Sequence, residues 1–304
     1  MQAVAAGPAS AYAALIVVVL PLRSRSQYKR MLERQQSEPG AKLRFYYRSS
    51  ARKVLLLAPM AVVGLLAHRS PHSIGLALPT FRSAVAVAMS VVLLVGLALG
   101  AFRMRASPAS VTRSLATQPR LLEFLPANHE ERAAFVVVAL SAGVCEELIY
   151  RGFAVAYLRW AWPSATTFDI CVLTAIAFGC VHLYQGWRGM VLTGVIGYVL
   201  AFIVILSGSL IPAIVLHALL DLRLLAIPAD RITEASVLAA QGKIAQAPVP
   251  GRPGASLSSQ PSAVAPWLPP PGWYTDPWDQ SGSGRLRWWD GREWTHYCND
   301  RRPS

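Results

Sequence analysis

The stretch Phe135-Val-Val-Val-Ala-Leu-Ser-Ala-Gly-Val-Cys145-Glu146-Glu147-Leu-Ile-Tyr-Arg151-Gly152 sets two adjacent carboxylates inside an apolar run. From Phe135 to Trp162 the only full charges besides the doublet are Arg151 and Arg159. An apolar run of roughly 20 residues is what a membrane-spanning helix requires. A charge at the bilayer centre costs roughly 2.5–3.5 kcal/mol on insertion scales, so carboxylates there need partners and point to a chemical role. On a helix, Glu147 and Arg151 stand at i and i+4 and can pair. Glu146 lies about 100° around the helix. The doublet therefore divides: Glu147 is held by Arg151, and Glu146 is left to react. The plainer alternative makes both ion-paired helix glue, but two carboxylates against one guanidinium leave a charge unmatched.

Working outward, the chain is 54% hydrophobic with a net charge of +13 and a mean hydropathy of +0.38. That composition is outside the range of ordinary soluble domains. The expected fold class is all-α: a polytopic membrane helical bundle of about seven spans, followed by a disordered linker and a very small β-rich Trp module. Spans are expected at 3–22, 54–67, 83–102, 133–160, 167–186, 188–206 and 209–227. Residues 3–22 lack a basic leader and a small-residue cleavage site, so they read as a first span, not a signal peptide. Residues 23–53 carry ten Lys or Arg against Glu33 and Glu38 and read as a cytoplasmic loop facing anionic lipid, with no nucleic-acid partner. Seven spans then place the N-terminus outside and the C-terminal tail in the cytoplasm of a multi-pass cell-membrane protein. The loop at 103–132 is too polar to span and reads as a surface helix.

Four domains are expected: 1–53, first span and basic loop; 54–227, the helical membrane domain that holds the carboxylate doublet; 228–269, an Ala/Pro/Ser-rich disordered linker; and 270–298, the Trp-rich module. Asp290-Gly291 between Trp288-Trp289 and Trp294 signals a type I′ hairpin. Cys145, Cys171, Cys180 and Cys298 form no Cys-x-x-Cys pair, so neither a disulfide framework nor a zinc ribbon fits.

Two later apolar segments carry His182, in Phe178-Gly-Cys-Val-His182, and His217 with Asp221, in His217-Ala-Leu-Leu-Asp221. A buried His is commonly a satisfied core residue. Two of them, each in its own span and joined by a carboxylate doublet in a third, point to one site. A Glu in a dry pocket can act as general base on water, and His can orient that water or stabilise an oxyanion. That set describes amide hydrolysis. A second reading is a divalent metal such as Zn2+, held by Glu146, His182 and His217 with a position open for water. The single-helix His-Glu-x-x-His arrangement is absent.

Glu146-Glu147-x-x-x-Arg151, Phe178-x-x-x-His182 and His217-x-x-x-Asp221 together resemble the three-motif signature of the CPBP family, the intramembrane CaaX-protease and bacteriocin-processing proteins. Ser73-Ile-Gly-Leu-Ala-Leu-Pro79 resembles a weaker element of the same family. The resemblance covers mainly residues 133–227. It implies a membrane endopeptidase in which Glu146 activates water with His182, His217 and Asp221 hold the oxyanion, and Glu147 and Arg151 organise the helix. Metal-dependent and metal-free mechanisms both stay open. Position 221 is Asn in well-described members; an ionised Asp221 cannot donate, so it is either protonated or orients His217. The implied partners are membrane lipids and a peptide or membrane-protein substrate. A non-catalytic immunity or scaffold role on the same fold is the alternative. Pro271-Gly-Trp-Tyr-Thr-Asp-Pro277 with Arg287-Trp-Trp-Asp-Gly291 and Trp294-Thr295 resembles a small Trp-rich domain of unknown function, whose partner is unknown.

Overall fold

The computed structural model describes residues 3–35, 37–68, 70–79, 83–116, 118–245, 272–279, 285–289 and 294–299. The chain divides into two compact units, Met1–Ala247 and Pro248–Ser304.

The first unit is helical. Its elements are α1 (Ala5–Gln35), α2 (Ala41–Leu66), α3 (Ala84–Ala106), α4 (Pro108–Ala116), α5 (Pro119–Phe124), α6 (His129–Ala161), α7 (Thr167–Val181), α8 (Trp187–Ser207), α9 (Ile211–Leu222) and α10 (Ala229–Ala245). Among the described residues, α1, α2, α3, α6 and α8 are each long and apolar enough to cross a membrane. A sixth candidate is the pair Ile211–Ala226 and Ala229–Ala239, bent by 73°. Five or six spans among the described residues thus stand beside the about seven expected. The segment expected to span 167–186 is a helix of only 15 residues, about 22 Å against a hydrocarbon core of about 30 Å. The segment expected at 209–227 bends where Arg223–Ala226 tightens to a 3-10 turn before Pro228.

Within the basic segment 23–53, expected as a loop, residues 23–35 and 41–53 are helical. α1 runs on to Gln35, and α2 starts at Ala41 after a reversal whose Gly40 sits at φ 71, a conformation glycine adopts without penalty. Lys and Arg are good helix formers, so an interfacial helix end tolerates them. The linker expectation needs the same correction at its start. α10 buries Ile232 and Ala235 against Leu115, Leu122 and Leu125 of the 108–125 helices, while residues 246–271 lie outside the described ones. The surface helix expected within 103–132 is present as α4 and α5.

Core packing is what holds α6 in place. Tyr12 and Ile16 of α1, Val63 of α2, and Phe178 of α7 close around Ile149, Tyr150 and Phe153 of α6. Leu148 faces Leu200, Ile203 and Val204 of α8 and Leu210, Ala213 and Leu216 near α9. The Ser73–Pro79 element docks beside this cluster: Leu210 N–H donates to Gly75 O (2.8 Å), and Ser209 Oγ donates to Ala77 O (2.6 Å).

In the second unit, β1 (Gly272–Thr275), β2 (Leu286–Trp289) and β3 (Trp294–Asn299) form an antiparallel sheet in that order. Trp273 opposes Trp288, and Trp289 opposes Trp294. The type I′ turn expected at Asp290-Gly291 lies outside the described residues. Asp276 is only 3% exposed and accepts from Arg287 Nε (3.0 Å) and Arg285 Nε (2.7 Å). The Arg287 hydrogen bond, followed by those from Trp278 N–H and Arg285, holds the Asp276 carboxyl down at about 2. A depressed carboxyl stabilises the fold above its unfolded pKa, near 4, and that stability is lost as pH falls towards 2. Tryptophan emission should therefore change between about pH 4 and pH 2 in the full chain. Asp276→Asn should already be perturbed at neutral pH and lack that transition.

Candidate active site

α6 begins at an Asn128 cap whose side chain accepts from Glu131 N–H (2.9 Å), with Glu130 and Glu131 in the first turn. Glu131 also pairs with Lys42 of α2 (2.9 Å), fixing the two helices at one end. Glu146 and Glu147 follow four turns later. At Leu148–Phe153 the helix widens into a π-turn, a local feature found frequently at functional sites.

Each carboxylate has its own partners. Arg151 Nη1 donates to Glu147 Oε1 (2.9 Å), and both side chains are fully buried. Arg151 Nη2 donates to Gly197 O of α8 (3.0 Å), and the guanidinium lies 4.3 Å from the centre of the Phe178 ring. His217 Nδ1–H, from α9, donates to the same Glu147 Oε1 (2.7 Å). Glu146 instead meets Lys53 of α2, with Nζ 3.3 Å from Oε1. Its second oxygen, Oε2, is 3.9 Å from His182 Nε2. That oxygen is buried and has no hydrogen-bond partner among the described residues.

His182 is placed by the end of α7. That helix starts with a Thr166–Asp169 capping box and stops at Val181, with His182 as its C-cap. The ring Nδ1–H donates to Phe178 O (2.8 Å), one of the carbonyls left over at a helix end. A carbonyl only accepts, so Nδ1 carries the proton and the neutral ring presents Nε2 as an acceptor towards Glu146. Phe178 packs between the two imidazoles, 4.8 Å from His182 and 5.7 Å from His217.

Close contact of α6 with α9 brings Glu147 to His217. A methyl added at Gly143 would stand 2.9 Å from Ala218 Cβ and 3.0 Å from the backbone atoms Ala218 N and Ile214 O. Gly143→Ala should therefore destabilise the protein by about 1–3 kcal/mol, the range for overpacking. A thermal melt checks this, and an unchanged melt means that the helices are not so close.

A cavity of about 320 Å³ opens on Glu146. Lys53, Tyr150 and His182 share its wall with apolar groups such as Leu56, Phe124 and Val138. Among the described residues, His217 and Asp221 are not part of that wall. Asp221 Oδ2 lies 4.0 Å from His217 Nε2, beyond hydrogen-bond reach. The residues expected around one water thus fall into two neighbouring groups: Glu146 with His182 and Lys53, and Glu147 with Arg151 and His217.

Lys53 and Tyr150 were not singled out from sequence. Lys53 is the last charge before the apolar run Val54-Leu-Leu-Leu-Ala-Pro59, and that boundary position was the available signal. It supplies the cation that the doublet lacked. Tyr150 follows Glu146 by four residues. Its hydroxyl is buried without a partner among the described residues.

As metal ligands, Glu146, His182 and His217 are poorly placed. Among the described residues no group of three or more His, Cys, Asp and Glu side chains could hold an ion. His217 is turned to Glu147, and an ammonium already faces Glu146.

Residues 128–223 match the family model described as type II CAAX prenyl endopeptidase Rce1-like. The match runs from the Asn128 cap to Arg223, just past Asp221, and so contains all three motifs but not Lys53. The chain is thus a multi-pass helical membrane protein in which residues 128–223 are similar to the Rce1-like family, in keeping with the CPBP resemblance of its motifs. Residues 271–304 match a protein family of unknown function, DUF2510. No curated protein and no solved structure matches the chain.

Proposed function

We propose that this protein is an intramembrane endopeptidase that hydrolyses a peptide bond in a membrane-associated or peptide substrate, using a water activated by Glu146 with help from His182. The observation that carries the reading is Glu146 Oε2, buried without a hydrogen-bond partner among the described residues and 3.9 Å from His182 Nε2, in two residues that line a largely apolar cavity. One water with arms of about 2.8 Å spans that gap. Both neighbours are acceptors, so the water donates to each and keeps a lone pair for the scissile carbonyl. As its oxygen attacks the carbonyl carbon, a proton passes to Glu146 Oε2. The C–N bond then breaks, and the amine leaves with that proton.

Lys53 fixes the other Glu146 oxygen and balances its charge, as Arg151 does for Glu147. Tyr150, which lines the same cavity, is the donor we assign to the oxyanion. His217, off that wall, steadies Glu147 through its Nδ1–H, with Asp221 standing 4.0 Å from its Nε2. With the basic ends of α1 and α2 inside and an odd number of crossings, the tail lies in the cytoplasm.

The test compares membrane-protein termini in cells carrying the wild type or His182→Ala. The enzyme reading expects new termini that disappear in the variant, with a rate loss of about 10²–10⁴-fold for a group assisting proton transfer. A cellular phenotype that persists unchanged in His182→Ala means a non-catalytic binding or immunity role.

A further inference from the structure

The reversal at 37–40 lays α1 against α2 and makes two basic faces confront each other. A cleft of about 190 Å³ lies between them, lined by Arg30 and Arg34 from α1 and by Arg44, Arg48 and Arg52 from α2. The nearby carboxylates are already engaged. Glu38 takes Arg44 (2.7 Å), Glu33 faces Lys29 (3.8 Å), Glu131 takes Lys42 (2.9 Å) and Glu146 takes Lys53 (3.3 Å). Among the described residues, no acidic partner stands against Arg30, Arg34, Arg48 or Arg52. Guanidinium groups gathered in one cleft repel unless an anion with several acceptor oxygens sits among them.

We propose that this cleft binds the phosphate of an anionic lipid headgroup. Its depth in the membrane favours a lipid over a free ion. Val17, Val18 and Leu22 on α1 and Val54, Leu55 and Val62 on α2 are exposed apolar side chains that a bilayer would cover. Arg30 follows Leu22 by eight residues, about 12 Å along the helix, which sets the arginines at headgroup level. Guanidinium forks match phosphate oxygens in pairs, so bound phosphate converts repulsion into charge-assisted hydrogen bonds. The cleft also adjoins the active-site cavity: Gln27, Phe45 and Arg52 line both. A lipid held there would fix Arg52 beside Lys53, and with it the helix face that meets Glu146.

The experiment uses the full chain in zwitterionic detergent, melted with phosphatidylglycerol, phosphatidylcholine, inorganic phosphate or a Glu-rich peptide. Phosphatidylglycerol should raise Tm by about 4 °C, and the other three by less than about 1 °C. Arg34→Gln/Arg48→Gln, both at exposed positions, should keep the basal Tm and lose the response. Arg105→Gln, on α3, should keep it. If that double variant fails to fold, Arg30→Gln/Arg34→Gln supplies the same readout. An equal phosphatidylglycerol shift in wild type and variant overturns the site. A shift as large from inorganic phosphate or from the peptide overturns the lipid assignment.

Discussion

Glu146→Gln should abolish cleavage while leaving the protein folded and inserted. The substitution keeps the size of the side chain and an acceptor oxygen for Lys53, but removes the base that takes the proton from water. Loss of a general base typically costs 10²–10⁴-fold in rate. The fold should lose far less than in Arg151→Met, because Lys53 keeps an acceptor oxygen and is 19% exposed, whereas Glu147 and Arg151 are fully buried. A small loss in melting temperature together with absent product termini is the expected pair of results. Wild-type cleavage by Glu146→Gln would remove Glu146 from the reaction.

Arg151→Met should have the opposite profile, a large loss of stability. Glu147 and Arg151 are fully buried, and Arg151 also joins α6 to the Gly197 carbonyl of α8 and to the Phe178 ring of α7. Deleting one member of a buried pair leaves an uncompensated charge, at a cost of about 3–5 kcal/mol. The double variant Glu147→Gln/Arg151→Met removes that orphan charge while keeping an acceptor for His217, so it should recover much of the loss. Tm values of the wild type, both single variants and the double variant check this. Additive losses would mean that the two residues act independently.

Much of the site was legible because membrane burial makes charge conspicuous. Glu146, Glu147, Arg151, His182, His217 and Asp221 were picked from apolar runs where polar groups are costly. The i, i+4 spacing foretold the Glu147–Arg151 bond. Two things were not legible. Lys53 sits at the edge of a basic stretch, where a lysine needs no special explanation, and only the packing of α2 on α6 brings it to Glu146. The division of the imidazoles was hidden as well. Spacing shows which helix face His217 occupies, but not which carboxylate a neighbouring helix presents to it; the close approach at Gly143 decides that.

The fold shows the same boundary. Apolar runs located the helices, and hydropathy located their centres. Helix ends were misjudged because Arg and Lys side chains extend α1 and α2 beyond their apolar parts. Likewise the Ala-rich start of the linker read as irregular, although Ile232 and Ala235 sit at helical spacing and bury against α4 and α5.

The central claim is that Glu146 and His182, brought from different helices, bracket one water. An experimental structure of the full chain in a lipid nanodisc, at a resolution that shows ordered water, tests it most directly. The account expects a water within hydrogen-bond distance of both Glu146 Oε2 and His182 Nε2, with Lys53 on the other carboxylate oxygen. His182 turned away from Glu146, or the two side chains too far apart for one water to bridge, would contradict it.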